Sequence, residues 1–240
     1  MKTNLKSNRE KEQPQYILID IDDTVYNYLK IHKDSVKHCY EINANKLGMS
    51  FKRFNNLYIK AKKIIKLNNE NRAASHSKIN YFKNLLYLND NFYNSILSLK
   101  LHTDYYNFFF KNIKLRPYAK KFLKLAKEKK IKVIAITNMT SEIQLKKLAK
   151  LKIDDLFFDV LTSEEVGVEK PNKRIFEYAI KKYKLNNSKV WMIGDSYVND
   201  IEPIKNYKFI NGFLFEERIS KNPPYNLQKF NNFKILIDSF

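Results

Sequence analysis

A chain of 240 residues with 44% hydrophobic and 14% aromatic side chains can bury a sizeable core, which excludes a disordered polymer. It has no apolar run long enough to span a membrane, and residues 1–15 lack the apolar segment of a secretory signal. The formal charge of +20 would attract anions, but the lysines are spread along the whole chain and Gly numbers only 4, a pattern that AT-rich codons produce. The compositional reading of the charge is favoured, and nucleic acid is not the expected partner. One cysteine, Cys39, excludes an internal disulfide, and no Cys/His cluster points to zinc. Together these features fit a cytoplasmic protein with no membrane partner.

Residues 1–14 read as a flexible leader ending at Pro14. Tyr16 to Asp20 is the first strand, an apolar run of the kind buried in a parallel sheet. From Tyr26 to Leu115 strand-like runs vanish and apolar residues recur at helical spacing. Examples are Val36, Tyr40 and Leu47; Phe54, Leu57, Ile64 and Ile65; Ile79, Phe82, Leu85 and Leu86; Phe92, Ile96 and Leu99. This predicts four or five helices. Pro117 suits the first turn of a helix running to Lys129.

An α/β alternation follows. Strands are expected at Ile131–Ile136, Phe157–Leu161, Val190–Ile193 and Phe209–Phe215, with an edge strand at Ile235–Ile237. Helices are expected at Ser141–Leu151 and Pro171–Tyr183. Such alternation implies a parallel sheet with right-handed crossovers. The predicted architecture is therefore a Rossmann-like three-layer α/β core, residues 15–25 and 115–240, interrupted by a helical module at 26–114.

Chemistry-bearing residues gather at strand ends. Asp20 and Asp22 follow the first strand, where one carboxylate can attack an electrophile, its neighbour can move a proton, and both can hold a hard cation. Thr137 ends the second strand. Lys170 precedes the helix after the third, and Asp195 and Asp200 follow the fourth. In a parallel sheet these ends share one edge, where ligands bind. Each motif alone is an ordinary turn or helix cap, and Ser196 and Asn199 can be read simply as caps.

Taken in order, the four motifs resemble the haloacid dehalogenase (HAD) superfamily. Asp20-x-Asp22-x-Thr24, the strand ending in Thr137, Lys170-Pro171 and the Asp195/Asp200 pair match its signature, and Thr162 to Pro171 is similar to the subfamily I version. The resemblance, spanning Tyr16 to Gly212, implies a Mg²⁺-dependent phosphomonoesterase. It makes Asp20 the nucleophile that forms an aspartyl phosphate and Asp22 the general acid and base. Asp20, Asp195 and the backbone carbonyl of Asp22 would hold Mg²⁺, with Asp200 in support. Thr137, the Asn138 backbone N–H and Lys170 would hold the phosphoryl oxygens. Asp23 is left as a bystander in the turn. Pro203 departs from the small residue of many relatives and predicts a shorter local helix.

The inserted module is similar to the helical C1 cap of the family. Its size implies a small phosphorylated substrate, such as a sugar phosphate or a nucleotide. Arg72 and His76, read as one helical turn apart, either face the site or lie on a solvated face, with Arg72 placed to reach a carboxylate or second phosphate. Tyr26 is a further candidate substrate contact, and His32 and His38 are expected at the surface. The aromatic run Tyr105 to Phe110 is expected to pack in the core or at the hinge. A phosphomutase of the β-phosphoglucomutase type shares these core residues. A non-enzymatic nucleic-acid binder is the alternative from a different class, which the acidic cluster disfavours. Monomer and homodimer stay open.

Overall fold

The computed structural model describes residues 13–90, 93–216 and 227–240. Phe92 and most of the expected leader lie outside the described residues. Six strands, β1 (Tyr16–Ile19), β2 (Lys132–Thr137), β3 (Asp159–Thr162), β4 (Val190–Gly194), β5 (Ile210–Phe215) and β6 (Gln228–Phe230), form one sheet in the order β3-β2-β1-β4-β5-β6. All neighbouring pairs are parallel. The central strand β1 pairs Ile17 with Val133 on one side and with Trp191 on the other. It is buried on both faces, which is why Ile17-Leu18-Ile19 is continuously apolar.

Helices cover both faces. One layer holds α5 (Ala119–Glu128), α6 (Ser141–Leu151) and the terminal α9 (Phe233–Ile237); the opposite face is packed by α8 (Lys173–Tyr183), with the single turn α7 (Ser163–Val166) following β3. The edge strand expected at Ile235–Ile237 is a correction. Those residues belong to α9, capped by Asn232, which accepts from the Lys234 N–H, and Phe233 and Leu236 bury one helical face against α5. The edge is closed instead by β6. Helix α5 begins two residues after Pro117, because Tyr118 takes a left-handed backbone (φ 64°) at its N-cap. After β4 the chain makes a π-turn at 197–201 and a 3₁₀ turn at 202–204 containing Pro203, rather than a regular helix.

Between β1 and α5 stand four helices: α1 (Tyr28–Leu47), α2 (Phe51–Asn68), α3 (Lys78–Asp90) and α4 (Ser95–Asn112). Their starts are written in the sequence. Asn27, Ser50 and Asn94 each accept from a first-turn N–H, and Gly48 ends α1 with φ 57°, a conformation suited to glycine. The helices pack α1 on α4 and α2 on α3 around Phe54, Tyr58, Phe82, Tyr105 and Phe109. The run from Tyr105 to Phe110 thus serves packing. His32 is also buried there, its Nδ1 2.8 Å from the Tyr105 hydroxyl, which corrects its expected surface position. His38 is half-buried against Phe108. The two chain crossings into this layer are stitched together by a bridge between Tyr26 and Leu115 and by the Arg116 N–H, which donates to the Val25 carbonyl.

Candidate active site

Parallel pairing brings the ends of β1, β2 and β4 to one sheet edge. The Asp20 N–H donates to the Ile193 carbonyl, holding the first carboxylate beside the end of β4. A cleft of about 210 Å³ opens there, lined by Asp20, Asp22, Thr137, Lys170, Asp195 and Asp200, with Asn138 and His76 at its wall. Asp20, Thr137 and Asp195 meet because they end or follow neighbouring strands, Lys170 and Asp200 come from the chain that follows β3 and β4, and His76 comes from the inserted layer.

Three carboxylates, from Asp20, Asp195 and Asp200, can each offer an oxygen within 4.8 Å of the others. Lys170 Nζ bridges two of them, 2.6 Å from Asp20 Oδ1 and 2.6 Å from Asp200 Oδ1. The Thr24 hydroxyl donates towards Asp20 and Asp195 at 3.4 and 3.3 Å. Burial, opposed by Lys170 and reinforced by Asp200, Asp195 and Asp22, holds the Asp20 carboxyl well above the usual range. Burial and then Asp200 and Asp23 push Asp195 up to about 7. Burial opposes the charge on Lys170, but Asp20 and Asp200 outweigh it and raise its pKa. Crowded, desolvated carboxylates are an environment in which a further cation is favourable. The donor set is all oxygen and suits a hard ion such as Mg²⁺.

Gly194 makes this crowding possible. A Cβ there would lie 2.2 Å from Asp200 Oδ2 and 2.5 Å from Asp200 Cβ, so only glycine lets the Asp200 side chain fold back over the end of β4. The returning carboxylate accepts from the Ser196 N–H at 3.0 Å, and the Ser196 hydroxyl caps the turn by accepting from the Asn199 N–H. Asn138 clasps the backbone of Lys170, accepting from its N–H and donating to its carbonyl, both at 2.8 Å. That clasp couples β2 to the loop carrying the lysine. Thr137 is buried and accepts from Gln144 Nε2 at 2.6 Å, which leaves its own proton to donate.

Asp22 stands apart from the other acids. Lys147 Nζ lies 2.7 Å from both of its oxygens, and the Tyr26 phenol donates to Oδ1. Tyr26 is fully buried and absent from the cleft wall, so the expected substrate contact is corrected: it orients Asp22. Asp23 is more than a bystander. It takes a left-handed backbone (φ 61°), its carbonyl accepts from Arg116 Nη2, and its carboxylate accepts from the Leu29 N–H.

Arg72 and His76 part company. Arg72 is exposed, precedes a 3₁₀ turn at 73–76 rather than lying in an α-helix, and does not line the cleft. His76 does line it, and its Nε2 is 2.9 Å from Glu169 of the core loop. Burial lowers the His76 pKa, against the pull of Glu169. Ser75 also donates to Glu169, so the inserted layer is tied to the residue before Lys170.

Sequence reasoning missed Gln144 and Lys147. Both lie on α6 at three-residue spacing, on the same stripe as Leu148 and Leu151. A polar pair on an apolar stripe was the available signal.

A parallel sheet with acids and a lysine at its carboxyl edge, under an inserted helical layer, defines a hydrolase of the HAD type. The haloacid dehalogenase-like hydrolase profile matches residues 14–207, and the chain belongs to that family. A ribulose-1,5-bisphosphate 5-phosphatase from Halopiger xanaduensis is 32% identical over 187 residues, covering 77% of this chain and 78% of the relative. A glyceraldehyde 3-phosphate phosphatase from Methanocaldococcus jannaschii is 27% identical over 228 residues, covering 92% and 95%. The magnesium-bound HAD-hydrolase YfnB from Bacillus subtilis superposes with a TM-score of 0.70 at 17% identity, covering 95% of this chain and 98% of that one. The last likeness bears on fold alone.

Proposed function

We propose that this enzyme is a Mg²⁺-dependent phosphatase of a small phosphorylated sugar, acting through an aspartyl phosphate. The observation that carries the reading is the Asp20–Lys170–Asp200 chain beside Asp195, with Asp22 held separately on its own lysine. The names of the two relatives support a phosphosugar as substrate.

In this reading an Asp20 oxygen attacks phosphorus, and the bond from phosphorus to the leaving oxygen breaks. Asp22 gives that oxygen its proton. Asp22 then takes a proton from water, the water oxygen attacks phosphorus, and the Asp20 carboxylate departs. Lys170 and the Thr137 hydroxyl face the phosphoryl oxygens and stabilise the charge that develops on them. Mg²⁺ held by Asp20, Asp195 and the Asp22 carbonyl, with Asp200 in support, would lower the repulsion between carboxylate and phosphate dianion. The four inserted helices act as the cap that keeps bulk water and large substrates out.

Release of inorganic phosphate from a panel of sugar phosphates tests the reading. Activity is expected to require Mg²⁺ and to vanish in Asp20→Asn. Normal turnover by that variant, or full activity in excess chelator, would overturn it. Asp22→Asn is expected to accumulate phosphoenzyme.

A further inference from the structure

Beside the carboxylate cleft lies a second chamber of about 550 Å³. The two share His76 and Met139 in their walls and so lie side by side. The chamber sits between the inserted layer, which supplies Lys78, His102 and Tyr106, and α6, which supplies Lys146, Lys150 and Glu142, the last paired to Lys146 at 2.5 Å.

Three lysines are buried among the described residues: Lys78, Lys147 and Lys170. Lys147 and Lys170 pair with carboxylates at 2.6–2.7 Å. Lys78 does not. It is 2% exposed at the start of α3, and its ammonium reaches only the His76 carbonyl at 3.3 Å and the faces of Tyr81 and Tyr28, 5.0 and 5.9 Å away. No described carboxylate lies within ion-pair distance of it. A buried ammonium with no anion beside it is costly, and a lysine there is worth its cost where an anion arrives as ligand.

We infer that the second chamber receives a second anionic group of the substrate, a phosphate or a carboxylate, and that Lys78 is the residue that anchors it. The substrate class narrows accordingly to sugar bisphosphates and phosphorylated sugar acids. This rests on the phosphatase reading for the first anion.

The surroundings of Lys78 agree. Burial, then Lys147 and Lys62, push its pKa down to about 7; Lys66 adds to this and Asp22 opposes it. His32, His76 and His102 feel its charge in turn. Apart from Asp22, already paired to Lys147, the groups that act on Lys78 are cationic. An arriving anion would find a lysine that no described carboxylate pairs with, beside a chamber wall whose carboxylate, Glu142, is taken up by Lys146. The second-anion contact expected of Arg72 thus passes to a lysine six residues on.

The test compares ribulose 1,5-bisphosphate with ribulose 5-phosphate, and 6-phosphogluconate with glucose 6-phosphate, by phosphate release and by calorimetry. The wild type is expected to favour at least one doubly anionic partner by tenfold or more in KM. Preference in the first pair assigns the second anion as phosphate, and in the second pair as carboxylate. Lys78→Met is expected to reduce that preference at least tenfold, and equal preference in wild type and variant overturns the inference. If the wild type releases no phosphate from any of the four, the phosphatase reading fails, and calorimetry decides the second question alone. Bisphosphate or phosphogluconate binding weakened tenfold in Lys78→Met then upholds the anion site, while equal binding overturns it. Amine labelling of the wild type, read by mass spectrometry, needs no variant: protection of Lys78 by the doubly anionic compound and not by its partner supports the assignment, and equal labelling rejects it.

Discussion

Lys147 Nζ lies 2.7 Å from both carboxylate oxygens of Asp22, and its ammonium is boxed on its other sides by the rings of Tyr26, Tyr28 and Phe109 at 5.6–5.9 Å. The ammonium is fully buried and Asp22 is 21% exposed, so the pair joins the inside of the molecule to the cleft. The ammonium holds the carboxylate in position as a point charge, and the Tyr26 phenol donating to Oδ1 sets its rotation.

Lys147→Met is therefore expected to lower kcat about 100-fold, because small misplacements of a reacting group carry costs of that order. KM is expected to change less, since Lys147 does not line the cleft. Breaking a buried pair on one side should also cost roughly 3 kcal/mol of stability. Steady-state kinetics beside urea melts separates the two effects, and a folded variant with wild-type kcat would remove Lys147 from any role in placing Asp22.

Gly194→Ala addresses the opposite wall. The added methyl would occupy the space of the Asp200 carboxylate and of its Cβ, so rotation of the side chain's far end alone does not relieve the clash. Overpacking of this kind costs roughly 1–3 kcal/mol. The Mg²⁺ concentration for half-maximal activity should rise, because Asp200 can no longer fold back beside Asp20 and Asp195. An unchanged Mg²⁺ dependence would show that Asp200 does not support the cation.

Lys78 predicts a pH effect on stability without any ligand. Its pKa is about 7 in the folded chain, lowered first by burial and then by Lys147 and Lys62, against a reference of 10.5. Between those values the unfolded chain binds the extra proton, so this group makes stability rise with pH. Below about 7 both states are charged and the full penalty is present. Lys78→Met is accordingly expected to melt higher than the wild type at pH 6, with the gap closing as pH approaches 10.5. A gap independent of pH would show that burial does not depress this lysine.

The motifs at the strand ends were legible because each carries its own punctuation. Val133 to Ile136 is a β-branched apolar run that must stop where Thr137 appears, and Val190 to Ile193 stops at Gly194 in the same way. The inserted module was legible as helices but not as a site. Arg72 looked placed for an anion because a four-residue spacing suggested one helical face, but the backbone there makes a 3₁₀ turn that leaves Arg72 outside. Lys78, by contrast, shares a stripe with Tyr81, Phe82 and Leu85, where a lysine is out of place.

By itself, then, the sequence determined the alternation of strands and helices, the position of the insertion and the gathering of Asp20, Thr137, Lys170 and Asp195 at one sheet edge. These follow from periodicity and from chain direction in a parallel sheet, which are local properties. The order of those residues along the edge, Lys170, Thr137, Asp20, Asp195, came from the strand order. Only the tertiary structure decided which cations met which acids. Among 45 lysines and arginines, three lysines lie buried in the described residues, and two of those pair with carboxylates while Lys78 faces a chamber. The physical reason is that burial comes from the packing of α4 over α6 and of α1 and α3 onto α4. The energy of a buried charge depends on what that packing places within a few ångströms of it.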